Sequence, residues 1–283
     1  MKVLIVYAHP EPDSLTGALK DVAVEQLRAD GHEVRVSDLY AMGWKAHADS
    51  ADFGAVEETN FMLASGEAFA NGTLSADIRA EQEKLLWADT VLLHFPLWWF
   101  AMPAILKGWV DRVFTCGFAY GAGGTAIPRY GDGVLAGRRA MLVVAVGGRE
   151  PAYSDRGING PIADLLFPIH HGMLYYPGMA VLPPFVVHGA MRVDDERFER
   201  LAIDLRKRLA ELDSAEPIRY RRQAGGDYDR GLRLEPGREE PGATGFGLHI
   251  ASQEGAAAAF RRESDSRSGR LRRARAADVP AQD

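Results

Sequence analysis

The sequence contains one cysteine, Cys116, and lacks any long hydrophobic run. A single cysteine excludes an internal disulfide and suits a reducing compartment. We expect it to be a small buried residue near a helix end, with a reactive thiol as the alternative. The apolar run at the N-terminus, residues 2–7, is too short for a secretion signal, and no run reaches the length of a membrane span. These absences predict a cytoplasmic protein without an integral membrane segment.

The sequence also lacks the short motifs that mark several catalytic classes. It contains no GxSxG, Walker, CxxC or HExxH pattern, and no GxGxxG follows the first predicted strand. The adjacent His170 and His171 have no Asp, Glu or Cys at ligand spacing, so no metal site is expected. The acidic pairs Glu57-Glu58 and Asp194-Asp195 are expected on solvated faces. These observations disfavour a side-chain nucleophile or a metal and favour a bound cofactor as the source of the chemistry.

The charge is moderate overall and uneven near the C-terminus. A net charge of -6 and a pI near 5.8 predict no nucleic-acid partner. Residues 218–283 are polar and rich in glycine, so we predict a partly flexible extension after a catalytic domain of residues 1–217. Seven arginines lie between Arg261 and Arg275 against two acidic residues. A solvated tail is the favoured interpretation of this segment, and nucleic-acid contact or a subunit-wrapping arm are the alternatives.

Buried-strand patterns alternate with helical patterns through the first 217 residues. The predicted strands are Lys2–Tyr7, Glu33–Leu39, a strand from Thr90, Arg139–Val146 and Met179–Val187. The predicted helices are Leu15–Gly31, Val56–Phe69, Ala76–Trp87, Pro103–Phe114, Pro161–His170 and Val193–Leu212. This order predicts an α/β fold with a five-stranded, doubly wound parallel sheet and helices on both faces. Pro183 and Pro184 predict an edge or a bend in the last strand.

Three loops at predicted strand ends carry the candidate binding residues. His9, Ser14 and Thr16 follow the first strand and open a helix, which is typical of a phosphate site in a flavodoxin-like fold. Three aromatic residues follow Pro96 and suit a flat ring, for which our hypothesis is an isoalloxazine. Gly147-Gly148 would let backbone amides approach that ring. Loop capping by His9, a simple N-cap at Ser14, an ordinary turn at the glycines and plain packing of Tyr153 are the alternatives.

These stretches resemble the NAD(P)H:quinone oxidoreductases, the DT-diaphorase-like flavoenzymes of flavodoxin-like fold. The resemblance covers roughly residues 1 to 220, with a fainter echo at 246–248. It is carried most specifically by FPLWWFAMPAILKGWVDRVF, residues 95–114. The other matching stretches are VLIVYAHPEPDS (3–14), SDLYAMGW (37–44), residues 74–82, FAYG (118–121), the glycine pair, and YSDRGINGP (153–161).

The resemblance implies a homodimer that binds FAD, with FMN as the less favoured flavin. It implies a ping-pong, two-electron reaction in which NAD(P)H is the co-substrate and a quinone or similar aromatic molecule is the acceptor. Tyr153 and Asn159 are implied as catalytic residues, and Trp99, Phe100, Tyr120 and Tyr176 as the substrate pocket. The implied flavin contacts are His9, Ser14, Leu15, Thr16, Ala18, Pro96, Leu97, Trp98, Trp99, Phe100, Gly147, Gly148 and Tyr153.

Two positions depart from the family pattern. Asn159 stands where well-known members have a histidine, and asparagine can form hydrogen bonds but cannot titrate near neutral pH. A glycine-rich run, residues 121–124, stands where the family usually has another tyrosine, so the pocket is expected to be roomier. The alternative function is a regulatory flavoprotein that serves a partner of the potassium-efflux type, which the arginine-rich tail would contact.

Overall fold

The computed structural model describes residues 1–121 and 127–251, and these fall into two compact units that meet between Ile218 and Arg219. The first unit contains six strands, β1 (Lys2–Tyr7), β2 (Glu33–Asp38), β3 (Thr90–Pro96), β4 (Arg139–Val146), β5 (Ala180–Val181) and β6 (Phe185–His188). Its α-helices are α1 (Leu15–Ala29), α2 (Phe61–Asn71), α3 (Ala76–Trp87), α4 (Ala104–Val113), α5 (Ile162–Phe167) and α6 (Asp195–Ala210).

The strands form one parallel sheet in the order β2-β1-β3-β4-β5, and β6 also pairs with β4. The predicted fifth strand is therefore two short strands, because Pro183 and Pro184 interrupt the hydrogen-bonding ladder between them. The registers Tyr7↔His94 and Pro96↔Ala145 bring the carboxyl-terminal parts of β1, β3 and β4 side by side. The predicted flavodoxin-like parallel sheet is confirmed, with the fifth position shared by two strand segments.

The main core lies between the sheet and the pair α1 and α6. Leu19 and Leu27 of α1 pack with Leu205 and Leu209 of α6 against apolar side chains of β1, β3 and β4. All of these side chains are 1% exposed or less. Burial of this face fixes the start of α1 against the end of β1, which is where the first candidate loop lies.

Several helix boundaries differ from the sequence prediction. α2 begins at Phe61 because the Asn60 side chain caps it, and not near Val56. Pro103 is the residue before α4 and does not lie in its first turn. Ser75 precedes α3, but its hydroxyl donates to Asp77 and caps no helix amide.

Two further differences concern the last third of the first unit. The helix predicted to run to His170 ends at Phe167 and continues as a π-helix, Pro168–Tyr175. Asp194 is exposed, as expected for a solvated acidic pair, and its carboxylate also caps α6 by accepting from the Arg197 amide at 2.9 Å. Cys116 is buried, as predicted.

The second unit, described from Arg219 to Ala251, has little regular structure. Gly245–His249 forms a 3-10 helix, and Tyr220 pairs with Ile250 through the backbone. Arg221 forms ion pairs with Asp227 at 2.7 Å and Glu240 at 3.7 Å. The arginine-rich segment, and the interpretations made of it, lie outside the described residues. In the described ranges, no helix combines the length and the apolar character needed to cross a membrane.

Candidate cofactor and substrate site

The loop from β1 to α1 presents free backbone donors. The Ser14 side chain caps α1 by accepting from the Gly17 amide at 3.2 Å. Among the described residues, nothing accepts from the amides of Leu15 and Thr16 in the first turn. Unpaired amides and the positive end of the helix dipole together attract an anion. Ser14 is thus both a cap and part of a candidate phosphate site, as the sequence allowed.

His9 has a defined orientation in the same loop. Its Nδ1 lies 3.0 Å from the Glu11 amide nitrogen and 3.1 Å from the Glu11 carbonyl oxygen, so the ring contacts the Glu11 backbone in either tautomer. The ring lies 5.8 Å from that of Trp98, centroid to centroid. His9 is therefore oriented by the Glu11 backbone, and it links the first loop to the aromatic residues after β3.

This loop is shaped by two further residues, Tyr7 and Gly17, for which the sequence patterns indicated no role. A Cβ on Gly17 would lie 1.8 Å from the carbonyl oxygen of Pro12, so only glycine allows this close approach. The Tyr7 hydroxyl donates to the Glu11 carbonyl at 3.2 Å, and burial raises the pKa of Tyr7. The prolines and Ser14 signalled a loop and a cap, but no local pattern signals the contact between Gly17 and Pro12.

The aromatic residues after β3 form a tight turn. The amide of Trp98 donates to the carbonyl of Ala101 at 3.0 Å, and the reverse bond is also 3.0 Å. The two central residues, Trp99 and Phe100, have φ values of 50° and 62°. These positive angles match a type I′ turn, in which glycine or asparagine is usual. Bulky side chains in this region store strain, which is concentrated at functional sites.

The same turn exposes its rings. Trp98 is 41%, Trp99 94% and Phe100 46% exposed. By contrast, Pro96 is buried at the end of β3, and the Leu97 amide donates to the Ala145 carbonyl of β4 at 2.8 Å. The base of the turn is therefore fixed to the sheet while its three aromatic rings are available to a ligand or a second chain.

The loop after β4 brings Gly148 against Tyr153. A Cβ on Gly148 would lie 2.7 Å from the Tyr153 ring, so glycine makes room for that ring. Tyr153 lies 5.5 Å from His188, centroid to centroid. The Asn159 amide donates to the Ala152 carbonyl at 3.0 Å, which folds the loop back beside Tyr153. Tyr153 and Asn159 are both half-buried.

Tyr120 and Tyr176 meet in a cavity of about 260 Å³. Its other lining residues are Val110, Asp111, Phe114, Ala119, Gly172 and Met173. Burial raises the pKa of the Tyr120 hydroxyl, with a smaller contribution from Cys116, so this group stays protonated and can donate. The predicted pair is thus brought together, while Trp99 and Phe100 lie on the aromatic turn and do not line this cavity.

The histidines give no sign of a metal site. His94, in β3, is fully buried, and burial lowers its pKa to about 3, with Lys20 adding to the effect. Burial likewise lowers the pKa of His170 to about 4. In residues 1–121 and 127–251, no cluster of His, Cys, Asp or Glu could hold a metal ion.

Comparisons with known proteins agree with this architecture. A family model described as flavodoxin-like fold matches residues 1–209. The chain is 52% identical over 261 residues to a ribosyldihydronicotinamide dehydrogenase-like protein, traD, of Penicillium crustosum, covering 89% of this chain and 97% of that one. It is 40% identical to the human ribosyldihydronicotinamide dehydrogenase [quinone], covering 77% and 94%.

A solved structure extends the similarity to three dimensions. A candidate quinone reductase from Klebsiella pneumoniae shares 55% identity with a TM-score of 0.85, over 89% of this chain and all of that one. The match spans most of both chains, so it reflects common ancestry of the whole fold and not of one motif. This chain belongs to the family of flavodoxin-like fold proteins, in the group that contains these quinone reductases and ribosyldihydronicotinamide dehydrogenases.

Proposed function

We propose that this chain is a flavin-dependent oxidoreductase that passes two electrons from NAD(P)H to a quinone or a similar aromatic acceptor. The observation that carries the proposal is the meeting of three loops at one edge of the sheet. One loop offers free amides to a phosphate, the second offers exposed aromatic rings, and the third offers a glycine pair beside a tyrosine. This is the edge at which parallel α/β sheets bind their ligands.

The residues fit a flavin in chemical terms. The amides of Leu15 and Thr16 would bind its phosphate, with the His9 ring as a further hydrogen-bonding group. Trp98, Trp99 and Phe100 would pack on its rings, and the open backbone at Gly147 would approach its edge. When bound, the flavin supplies the two-electron chemistry. Tyr153 and Asn159 would donate hydrogen bonds to charge that develops during the reaction.

Three finer properties are inferred from the family resemblance. They are FAD in preference to FMN, a homodimer, and a cytoplasmic location. The exposure of the aromatic turn supports a dimer, because a partner subunit would cover apolar side chains such as Trp99 that otherwise face water. In a dimer, Trp99 and Phe100 of one subunit could complete the cavity that holds Tyr120 and Tyr176 of the other.

The electron donor needs a direct test. Two similar proteins are named for ribosyldihydronicotinamide, a smaller molecule than NAD(P)H. The experiment is therefore to purify the protein, extract and identify the flavin, and reduce it with NADH, NADPH and dihydronicotinamide riboside in turn. We expect a yellow protein whose flavin absorbance bleaches with a donor and recovers when a quinone is added. A colourless protein that takes up neither FAD nor FMN would contradict the proposal.

A deletion of the C-terminal residues distinguishes a regulatory protein from an enzyme. If the chain served a partner through its arginine-rich tail, removal of residues 261–283 would abolish that interaction and leave quinone turnover intact. If the chain is an enzyme with a solvated tail, the truncated protein keeps both its flavin and its turnover, and no partner is lost.

A further inference from the structure

Arg129 lies beside the candidate substrate cavity. Its Nη1 donates to the Tyr176 hydroxyl at 3.2 Å, and its guanidinium carbon lies 5.5 Å from the centre of the Tyr176 ring. Tyr176 lines the cavity. The hydrogen bond to Tyr176 raises the pKa of Arg129, so the guanidinium is a fixed positive charge next to a wall of the cavity.

Most of the donor groups of Arg129 have no partner among residues 1–121 and 127–251. A guanidinium has five N–H groups in a fixed fork. Within the described residues, Arg129 bonds to Tyr176 and to no carboxylate. Arg112 is a useful contrast, since it is buried and pairs with both Asp52 and Asp77. Arg112 is thereby committed to the fold, whereas Arg129 remains half-buried with donors to offer.

The backbone holds Arg129 in place. The amides of Tyr130 and Gly131 donate to the carbonyls of Tyr176 and Tyr175 at 2.9 and 3.1 Å. The Tyr130 ring stacks on His171 at 4.8 Å and meets Tyr176 edge-on at 5.0 Å. Tyr175 and His171 belong to the π-helix, an element often found at functional sites. The guanidinium is therefore positioned by packing before any ligand arrives, which reduces the entropic cost of binding.

A negative charge lies in the wall of the cavity itself. Asp111 also lines it and pairs with Lys107 at 2.6 Å. An anionic group would be repelled by Asp111 and attracted by Arg129, so the cavity is electrically asymmetric. Tyr176 accepts from Arg129 and keeps its own O–H proton to donate. A ligand oxygen at this point would receive a hydrogen bond from the Tyr176 hydroxyl.

We propose that Arg129 and Tyr176 form an anion subsite of the substrate cavity, which selects substrates that carry an acidic oxygen group on or near an aromatic ring. Such a group can come from two sources, an acidic substituent on the electron acceptor or the extra phosphate of NADPH. The proposal rests on the proposed function, because it names the class of substrate that the same cavity favours.

The test compares one ring with and without a charge. Turnover of 1,4-naphthoquinone and of its 2-sulfonate is measured with NADH and with NADPH. The proteins are the wild type, Arg129→Met and Arg28→Met, the last of which removes an exposed arginine of α1 and matches the change in net charge. We expect Arg129→Met to lower kcat/KM roughly tenfold for the sulfonate and less than about twofold for the neutral quinone. Arg28→Met should change neither.

The outcomes distinguish the two sources. Selective loss with the sulfonate assigns the subsite to the acceptor. A loss of kcat/KM for NADPH but not for NADH, whichever quinone is the acceptor, assigns the subsite to the donor phosphate. Equal losses in all four combinations overturn the proposal. Arg129→Lys keeps the charge without the fork, so it should lose only about threefold; this variant retains the test if Arg129→Met does not fold.

A binding measurement separates this proposal from the proposed function. Naphthalene-2-sulfonate and the neutral naphthalene-2-sulfonamide are titrated into the purified protein by calorimetry, with no turnover involved. The wild type should bind the sulfonate about tenfold more tightly than Arg129→Met does, and both proteins should bind the sulfonamide alike. If no quinone is reduced but this difference is found, the proposed function fails and the subsite stands. If quinones are reduced and the difference is missing, the subsite fails alone.

Discussion

The phosphate loop (residues 9–17) and the aromatic turn (residues 97–101) lie at the same edge of the sheet and are built on opposite principles. The phosphate loop is held by its own hydrogen bonds, since Ser14 caps the helix and Glu11 orients His9, and it keeps the Leu15 and Thr16 amides for a ligand. The aromatic turn is strained, since Trp99 and Phe100 both have positive φ. One loop is therefore stabilised by its own hydrogen bonds, whereas the other keeps a strained backbone because the sheet holds its base.

The largest expected effect is on the phosphate loop. In Gly17→Ala the new methyl group would collide with the Pro12 carbonyl at 1.8 Å, and neither backbone can retreat easily. We expect a loss of about 3 kcal/mol in the free energy of unfolding, measured by urea titration, together with loss of flavin affinity. Gly247→Ala is the control, because its Cβ would meet only an ordinary contact at 3.9 Å. Equal stability of the two variants would refute the close approach.

The next effect concerns the strand between the two regions. His94 lies in β3, opposite Tyr7 of β1 and two residues before Pro96. In the described residues neither of its ring nitrogens has a hydrogen-bond partner, and burial lowers its pKa to about 3. The unfolded chain takes up this proton near pH 6.5 and the folded chain only near pH 3. The free energy of unfolding is therefore not reduced by protonation of His94 above pH 6.5, and it falls progressively as the pH drops from 6.5 towards 3.

Replacement of this ring should flatten the acid side of the stability profile. His94→Leu should reduce the slope of unfolding free energy between pH 6 and pH 4 by up to about 1.4 kcal/mol per pH unit. Urea titrations at several pH values measure that slope. Leu92→Met provides the control, because it changes a fully buried side chain of the same strand and removes no titratable group, so the slope should stay unchanged. An unchanged slope in His94→Leu would show that the ring is not held neutral.

Substitutions in the aromatic turn should change stability less, and glycine should be tolerated better than alanine. Trp99→Gly and Trp99→Ala both remove the ring, so both should weaken flavin binding and turnover. Glycine tolerates a φ of 50° and alanine does not, so Trp99→Gly should be the more stable of the two by about 1 kcal/mol. The matched pair at Trp98, which is not among the residues with positive φ, should show the reverse order. If Trp99→Ala keeps full flavin occupancy and normal kinetics, the aromatic turn is not part of the flavin site.

The contrast between the two regions also explains what the sequence could predict. The buried runs of β1 and β3 and the Ser14 cap follow local rules, so the sheet and the start of α1 were predictable from pattern. The positive φ of Trp99 and Phe100 breaks the usual residue preference for such turns, so no propensity rule could indicate it.

Contacts between segments that are distant in the sequence could not be predicted either. Tyr120 and Tyr176 were paired only through the family resemblance, because their meeting depends on how separate chain segments pack. Arg129 had no motif around it at all, and its position follows from backbone hydrogen bonds to Tyr175 and Tyr176. Local patterns therefore specify elements and caps, whereas the walls of a cavity depend on tertiary packing.

The smallest expected effect lies in the third loop, where Asn159 stands beside Tyr153. Asparagine can donate a hydrogen bond but cannot take up a proton near neutral pH, whereas histidine can. Asn159→His should therefore raise quinone turnover a few-fold and introduce a pH dependence of kcat near pH 6.5. Asn159→Gln keeps the amide and serves as the control, with no new pH dependence. If the histidine variant shows the same rate and the same flat profile as the wild type, Tyr153 and solvent suffice for proton transfer. The third loop would then resemble the phosphate loop, a region whose role is to bind and orient.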